Sequence, residues 1–151
     1  SGVVPGIDRL REHADVALAV SLHAANDALR DQLVPINRKF HLAELMAACQ
    51  RYVEGHKRRR ITFEYVMLDG VNDSDEDARR LIKLIDGIPA KINLIPFNEH
   101  PGSNFERPAP SRVSRFQELL ADHHYTAIVR HSKGQDIAAA CGQLSGAYDE
   151  A

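Results

Sequence analysis

The stretch "RITFEYVMLDGVNDSDEDARRLIKLIDGIPAKINLIPF", residues 60–97, decides the fold class. Its first part, "RITFEYVML", is rich in β-branched and aromatic residues, which is typical of a β-strand. Ser74 then precedes three acidic residues and an apolar segment that ends at Gly87, and these are the signals of a capped helix. The last part, "AKINLIPF", predicts another strand. A strand, a helix and a strand in succession indicate a βα unit with parallel strands.

The same alternation continues on both sides of this stretch. Upstream, "VALAVSLH" (residues 16–23) is an uninterrupted apolar run, typical of a strand buried on both faces, and residues 41–57 show helical apolar spacing. Downstream, a helix is predicted over residues 111–124 and a fourth strand over residues 125–132. The sequence therefore predicts an α/β fold with parallel strands. Because a complete eight-stranded barrel needs roughly 250 residues, the chain is either a small open domain or part of a barrel.

Composition limits the possible functions. The 151 residues are 44% hydrophobic and 26% charged, as in soluble globular domains, and the net charge of −2 gives no overall basic field for nucleic acid. Two distant cysteines predict neither a disulfide framework nor a zinc site and favour a reducing cytosol. No apolar run is long enough to span a membrane, so we expect a cytoplasmic protein. The first residue is not Met, which favours a piece of a longer chain.

Polar side chains follow the predicted strands where they end. The carboxyl ends of parallel strands share one edge of the sheet, and binding sites of α/β proteins form there. Polar residues are also ordinary at the starts of loops, so each residue taken alone could be either a ligand-binding residue or simply the start of a loop. As a group they predict a site for a polar ligand: Ser21, Leu22 and His23 after the first strand, Asp69 and Asn72 after the second, Asn98 after the third, and Arg130, His131 and Ser132 after the fourth.

Three other features each have two interpretations. Glu64 lies inside a predicted strand, so its carboxylate must either have a partner or face a polar cavity. The eight histidines show no metal-binding spacing, and surface positions are favoured over a zinc site. The basic run "HKRRR", residues 56–60, could touch RNA phosphates, but a solvated loop between a helix and a strand is the favoured interpretation.

The two cysteines differ in their surroundings. Cys49 lies on the apolar face of its predicted helix, which indicates a core residue. Cys141 stands in the segment "DIAAACGQLSG", residues 136–146, where helical spacing is present but short and flanked by glycine. Spacing leaves open whether Cys141 is a small core side chain or a reactive thiol on a mobile arm.

Four segments resemble the RlmN family. They are "SLHAANDALRDQLVPINRK", "EYVMLDGVND", "KINLIPFN" and "DIAAACGQL", in this order and at compatible spacings. The resemblance runs from Ser1 to Gly146, and it is specific because four separate motifs agree. Members of this family are radical S-adenosylmethionine (SAM) enzymes that methylate C2 of adenosine in 23S rRNA and in some tRNAs.

The resemblance also implies a fold and places the cluster-binding loop in another part of the protein. It places residues 1–151 in the C-terminal half of a partial (β/α)6 radical-SAM barrel, which is TIM-like. This half would hold about the fourth to the sixth barrel strand, an extra strand and the C-terminal cysteine segment. The other half carries the CxxxCxxC loop for a [4Fe–4S] cluster, and the quoted chain has no such loop. We therefore expect no metal ligand in this chain, no activity from it alone and marginal folding with unpaired sheet edges.

The resemblance assigns roles to five residues. Ser21, Leu22 and His23 match a segment that contacts SAM at the end of a barrel strand, and Asn98 matches a further SAM contact. Cys141 matches the cysteine that becomes S-methylated. In the family's scheme one SAM methylates this thiol by displacement, and a second SAM, cleaved by the cluster, yields a radical that takes hydrogen from the S-methyl group. The resulting methylene radical adds to the adenine carbon.

Two alternatives stay open at this point. A Cfr-type enzyme uses the same cysteine but methylates C8 of the adenosine. A non-enzymatic α/β fragment could bind only RNA or nucleotide. The expected partners of the enzyme are 23S rRNA, tRNA and an electron donor for the cluster, and the sequence predicts no oligomeric state.

Overall fold

A computed structural model describes residues 3–13, 17–56 and 59–131 of the chain. Helices and strands alternate along this part, as the sequence predicts. In chain order the elements are α1 (Val4–His13), β1 (Leu18–Ser21), α2 (Asp27–Leu33), a 3-10 turn (Pro35–Arg38), α3 (Leu42–Val53), β2 (Ile61–Met67), α4 (Asp75–Leu84), β3 (Ala90–Pro96), α5 (Pro110–Asp122) and β4 (Thr126–Val129).

The four strands form one parallel sheet in the order β1-β2-β3-β4. The predicted α/β class with parallel strands is therefore confirmed. The register pairs Ser21 of β1 with Glu64 of β2, and Glu64 with Asn93 of β3. Because neighbouring strands are parallel and in sequence order, their carboxyl ends lie along one edge, which we call the C-terminal edge.

Helices α1, α3, α4 and α5 cover one face of the sheet. Burial alternates along β3: Ile92 and Leu94 are buried, Asn93 between them is half-buried, and Lys91 is exposed. The buried side chains of this face pack with α3, α4 and α5 in one core, where the rings of Tyr65 and Phe116 lie 5.3 Å apart. We call the opposite side of the sheet the open face, although near the C-terminal edge Val66 and Phe97 pack there with Leu33 of α2 in a second apolar cluster.

The prediction that the first strand is buried on both faces is wrong for this part of the chain. The strand is shorter than the apolar run, Leu18–Ser21, and Val20 is fully buried while Ala19 is exposed on the open face. An apolar run alone does not distinguish a strand covered on both faces from one covered on a single face, because alanine is accepted in either setting.

The basic run before β2 is also only partly a solvated loop. Arg60 is exposed, but Arg59 is 4% exposed and lies over the Tyr52 ring at 4.5 Å from its centroid. Its guanidinium donates to the carbonyl oxygens of Tyr52 (2.9 Å) and Arg11 (3.0 Å). Arg59 therefore joins α1 and α3 at the opposite end of the sheet from the C-terminal edge.

The start of α4 is fixed by reciprocal hydrogen bonds, and the predicted Ser74 cap is confirmed. The Ser74 hydroxyl accepts from the backbone N–H of Asp77 at 3.0 Å, and the Asp77 carboxylate accepts from the backbone N–H of Ser74 at 3.1 Å. Each bond satisfies a backbone donor that the first turn of a helix leaves without a partner.

Replacing Ser74 with alanine should lower the free energy of unfolding by about 1 kcal/mol, because the N–H of Asp77 loses its acceptor. Urea denaturation followed by circular dichroism measures the change. Ser111→Ala is the matched control, since Ser111 is exposed in the first turn of α5 and does not cap that helix. Equal stability loss in the two variants would contradict the capping role.

Candidate functional site

A buried arginine fixes the end of β1. Arg30 of α2 is 0% exposed, and its Nε donates to the carbonyl oxygen of Leu22 at 3.0 Å. Its Nη2 donates to the carbonyl oxygen of Ser21 at 2.9 Å. Two consecutive carbonyl groups are thereby held on one guanidinium, which sets the path of the chain as it leaves the sheet.

Arg30 is itself held by α2 and the turn that follows. Its Nη1 donates to Asn37 Oδ1 at 2.9 Å, and the Asn37 amide donates to Asp27 at 3.0 Å and to Asp31 at 2.7 Å. Burial lowers the pKa of Arg30 to about 10, although Asp27 opposes this effect, so the group keeps its charge at neutral pH. Hydrogen bonds and nearby carboxylates compensate for the lost hydration of the charge.

His23 adopts an unusual conformation at this edge. Its φ is 61°, in the left-handed region that residues other than glycine rarely adopt, and its side chain is buried. Its Nδ1 accepts a hydrogen bond from the backbone N–H of Val66 at 3.0 Å, so the neutral ring carries its proton on Nε2. Burial, with a further contribution from the charge of Arg30, lowers the pKa of His23 to about 3. His23 is therefore a neutral imidazole at physiological pH.

The Nε2 of His23 is buried and has no hydrogen-bond partner. An N–H group in this state costs free energy, and native proteins rarely leave one without an acceptor. Such a donor at the C-terminal edge is suited to a ligand that brings an acceptor atom.

Asn72 connects the ends of β1 and β2. Its amide nitrogen donates to the carbonyl oxygens of His23 (2.8 Å) and Val66 (2.7 Å), and its Oδ1 accepts from the N–H of Leu68 at 2.8 Å. The Asn72 carbonyl oxygen in turn accepts from the Tyr65 hydroxyl at 2.6 Å. The predicted polar residue after the second strand is thus a buried structural link.

Leu22 differs from its two neighbours. Its side chain is fully buried in the core, its N–H donates to the carbonyl oxygen of Glu64 at 2.8 Å, and its carbonyl oxygen is bound by Arg30. Leu22 can therefore face a ligand only through the second lone pair of its backbone carbonyl oxygen. Ser21, by contrast, is half-buried on the open face, and its carbonyl oxygen is directed to Arg30.

A row of polar side chains crosses the open face. Ser21, Glu64 and Asn93 are register partners on three adjacent strands, and all three are half-buried. Arg130, just after β4, donates from Nε to Asn93 Oδ1 at 3.3 Å. Among the described residues, the Glu64 side chain has no hydrogen bond or ion pair. Of the two interpretations given for Glu64, this part of the structure favours a carboxylate that faces a polar space.

Asn98 lies farther along the C-terminal edge, at the end of β3. Its Oδ1 accepts from Arg107 Nη1 at 2.9 Å, and Arg107 Nη2 lies 3.2 Å from His131 Nδ1, which must accept because arginine only donates. Arg107 thereby connects the ends of β3 and β4. The chain continues from His131 toward Cys141.

Of the two cysteines, the structure describes Cys49 and so tests only its predicted role. Cys49 is fully buried in the core, as predicted, and burial raises the pKa of its thiol to about 12. Cys141 and Ser132 lie outside the described residues. Ser21, Leu22 and His23 are contiguous at one end of the edge, and Asn98 follows β3, two strands away.

The described ranges contain neither a metal-binding cluster nor a membrane-spanning helix. Residues 3–13, 17–56 and 59–131 contain no group of three or more His, Cys, Asp or Glu side chains that could hold a metal ion. The helices in these ranges are too short or too polar to cross a membrane.

Sequence reasoning missed Arg30, Asn37 and Arg107. Arg30 stands between Asp27 and Asp31 in a short helix, a pattern that usually marks exposed ion pairs. Its burial follows from contacts with β1 and the later turn. Arg107 lies in a proline-rich loop, and its partners are separated from it by 9 and 24 positions.

His23 should make the stability of the fold depend on pH. Above about pH 6.5 the ring is neutral in both states, whereas between pH 6.5 and about 3 the unfolded chain binds a proton that the folded chain does not. The free energy of unfolding therefore falls as pH falls through this range. Asparagine at position 23 tolerates a left-handed backbone and retains an acceptor, but does not titrate.

We expect His23→Asn to remove about 2 kcal/mol of the stability loss between roughly pH 7 and pH 5. Urea denaturation at the two pH values measures it. His124→Asn is the matched control, because His124 also has a positive φ, 69°, but is exposed. An equal reduction of the pH-dependent stability loss in the control would contradict a neutral buried His23. So would the absence of any reduction in His23→Asn.

Comparison with known proteins identifies similar chains. Proteins named "Dual-specificity RNA methyltransferase RlmN" from Acidiphilium cryptum, Methylobacterium radiotolerans and Rhodospirillum rubrum are 59%, 60% and 60% identical to the chain over 144 residues, 95% of its length. The chain covers 37%, 34% and 34% of these proteins, so it spans about a third of their length. No family model matches the chain.

Solved structures agree with these sequence matches. A radical SAM methyltransferase from Sphaerobacter thermophilus is 54% identical, with a TM-score of 0.85 over 97% of this chain and 43% of that one. A domain of pyruvate-formate lyase-activating enzyme from Bacteroides vulgatus has a TM-score of 0.66 at 12% identity, over 83% of this chain and 73% of that one, and supports the fold alone.

The parallel sheet with helices on one face is thus the architecture of radical SAM enzyme domains and is consistent with part of a TIM-like barrel. Sequence and structural similarity extend over nearly the whole chain. Over 95% of its length, the chain is therefore similar, at about 60% identity, to about a third of proteins named RlmN.

Proposed function

We propose that the chain is part of a radical SAM methyltransferase that methylates C2 of adenosine in 23S rRNA and in tRNA. The observation that carries this proposal is its identity of about 60% to proteins named as dual-specificity RNA methyltransferases. The chain spans about a third of those proteins, so the activity is proposed for a longer protein that contains it.

The C-terminal edge fits SAM as a ligand. The buried Nε2–H of His23 lacks an acceptor, and the adenine, ribose and carboxylate of SAM all offer acceptor atoms. Ser21 adds a half-buried hydroxyl on the open face beside it, and Asn98 adds an amide at the end of β3. We assign Ser21, His23 and Asn98 to SAM through their side chains, and Leu22 through its backbone.

Hydrogen bonds hold these residues in fixed positions, and this rigid arrangement would bind and orient a ligand. Arg30 holds the carbonyl oxygens of Ser21 and Leu22, and Asn72 holds the carbonyl oxygen of His23. Because these bonds are buried, the edge does not need to reorganise when a ligand arrives, which reduces the cost of binding. The neutral state of His23 also spares a positively charged ligand such as SAM from repulsion.

The described residues do not fit an iron–sulfur cluster. Such clusters are held by several cysteine thiolates, whereas the described residues contain one cysteine, Cys49, which is buried in the core. We therefore place the cluster ligands in another part of the longer protein. The proposal includes an electron donor for that cluster and action on RNA in the cytoplasm.

Cys141 is proposed as the methyl carrier. When bound, SAM supplies an electrophilic methyl group and, through reductive cleavage, a strong hydrogen-abstracting radical. The adenine carbon is not nucleophilic, so the methyl group needs a carrier that meets the donor and the substrate in turn. A thiolate is the most nucleophilic side chain for this task, and glycines at positions 142 and 146 suit a segment that moves.

Replacing Cys141 with alanine in the full-length protein should abolish RNA methylation, since the variant lacks the thiol proposed to carry the methyl group. Nucleosides from treated 23S rRNA and tRNA, separated by liquid chromatography and identified by mass spectrometry, measure the product. We expect 2-methyladenosine from the parent protein and none from the variant. Peptide mass spectrometry should show one added methyl group on Cys141 of the parent protein.

Cys49→Ala is the matched control and should retain methylation, because Cys49 is fully buried in the core, where burial raises the pKa of its thiol to about 12 and keeps it neutral. An active Cys141→Ala protein would overturn the carrier role. Formation of 8-methyladenosine would identify the Cfr-type alternative, and binding of RNA without any methylation by the cluster-loaded protein would identify a non-enzymatic role.

A further inference from the structure

We propose that Glu64 is a further ligand-binding residue of this site, and that its carboxylate accepts hydrogen bonds from the ribose hydroxyl groups of SAM. The inference rests on the proposed function, since it assumes that SAM binds at the C-terminal edge and over the open face. It assigns a role to a residue outside the segments Ser21–His23 and Asn98.

The position of Glu64 places it beside Ser21. The two residues are register partners on adjacent parallel strands, and neighbouring strands lie about 4.8 Å apart. Their side chains project from the same face, because Phe63 and Tyr65 on either side of Glu64 are buried in the helix-covered core. A ligand that reaches the Ser21 hydroxyl is therefore within reach of the Glu64 carboxylate.

The carboxylate of Glu64 needs hydrogen-bond donors when a ligand covers it. An ionised carboxylate only accepts hydrogen bonds, and a half-buried one that loses water without gaining donors destabilises the complex. Within the described ranges no side chain or backbone N–H binds the Glu64 carboxylate. The ligand must therefore supply donor groups where it covers Glu64.

SAM carries three kinds of donor: the ribose hydroxyls, the adenine amino group and the ammonium group. A pair of adjacent hydroxyls offers two donors that match the two oxygens of one carboxylate, a pairing that recurs in nucleotide-binding folds. The ammonium group is disfavoured by Arg130, whose guanidinium binds Asn93, the other register partner of Glu64. A neutral diol meets no such repulsion from Arg130.

The test measures binding of two SAM-like probes to the cluster-loaded, full-length protein. S-adenosylhomocysteine contains adenine, ribose and the amino acid, whereas 5′-methylthioadenosine contains adenine and ribose but no ammonium group. Glu64→Gln keeps the shape of the side chain and removes its charge. We expect this variant to bind both probes roughly tenfold more weakly, by the same factor, in equilibrium titrations.

Thr62→Val is the matched control and should bind both probes as the parent protein does. Thr62 is half-buried on the same strand and face, but it lies about 6.6 Å farther from the C-terminal edge. Its substitution changes polarity at nearly constant volume, so it reports any general effect of altering the open face.

The outcomes separate this inference from the proposed function. Equal weakening of both probes supports the ribose contact. Weakening of S-adenosylhomocysteine alone would show that Glu64 binds the ammonium group and would overturn the assignment, as would unchanged binding of both probes. A parent protein that binds neither probe would overturn the proposed function itself, and this inference with it.

Discussion

The C-terminal edge depends on the hydrogen bonds of the Asn72 side-chain amide. One buried side chain binds the carbonyl oxygens of His23 and Val66 and the N–H of Leu68, so it joins the chain leaving β1 to the end of β2. His23 can hold its left-handed backbone only because this bond and the Val66 N–H to its ring compensate for the conformational cost. The orientation of the imidazole, and with it the free Nε2–H, therefore follows from a loop residue 49 positions away.

The fold satisfies most of its buried polar groups and leaves two that need separate explanation. In the described part of the chain, the buried side-chain atoms without a hydrogen-bond partner are His23 Nε2 and Arg112 Nε. The charge of Arg112 is paired, because another nitrogen of its guanidinium binds Asp75, although its Nε–H has no acceptor among the described residues. His23 has no such pairing, although Arg30, Asn37 and Asn72 around it are fully engaged by the protein. A donor left free inside such a well-bonded region is better explained by a ligand than by a packing defect.

The sequence predicts the helices and strands of this fold much better than the tertiary contacts between them. Ser74 marks the start of α4 through local backbone chemistry, and Cys49 follows from helical spacing, so both could be predicted from neighbouring residues, whereas α4 ends at Leu84, before the predicted Gly87. The burial of Arg30 and the left-handed conformation of His23 could not, because each depends on contacts made after folding, such as the His23–Val66 bond across 43 positions. The apolar run before Ser21 suggested burial on both faces, since composition records hydrophobicity but not which face is covered. The role of Cys141 stays a prediction.

The two ends of the C-terminal edge differ in how firmly they are held. Around β1 and β2 the hydrogen bonds of Arg30 and Asn72 are buried, so water does not compete for them. Around β3 and β4 the bonds of Arg107 to Asn98 and His131 are exposed, and exposed bonds between side chains contribute little to stability. A binding site benefits from the rigid end, because a fixed donor costs no ordering when the ligand arrives. The carrier role proposed for Cys141 needs the opposite, since such a thiol would have to approach both the methyl donor and RNA. The chain continues toward Cys141 from His131, at the end where the contacts are easiest to break.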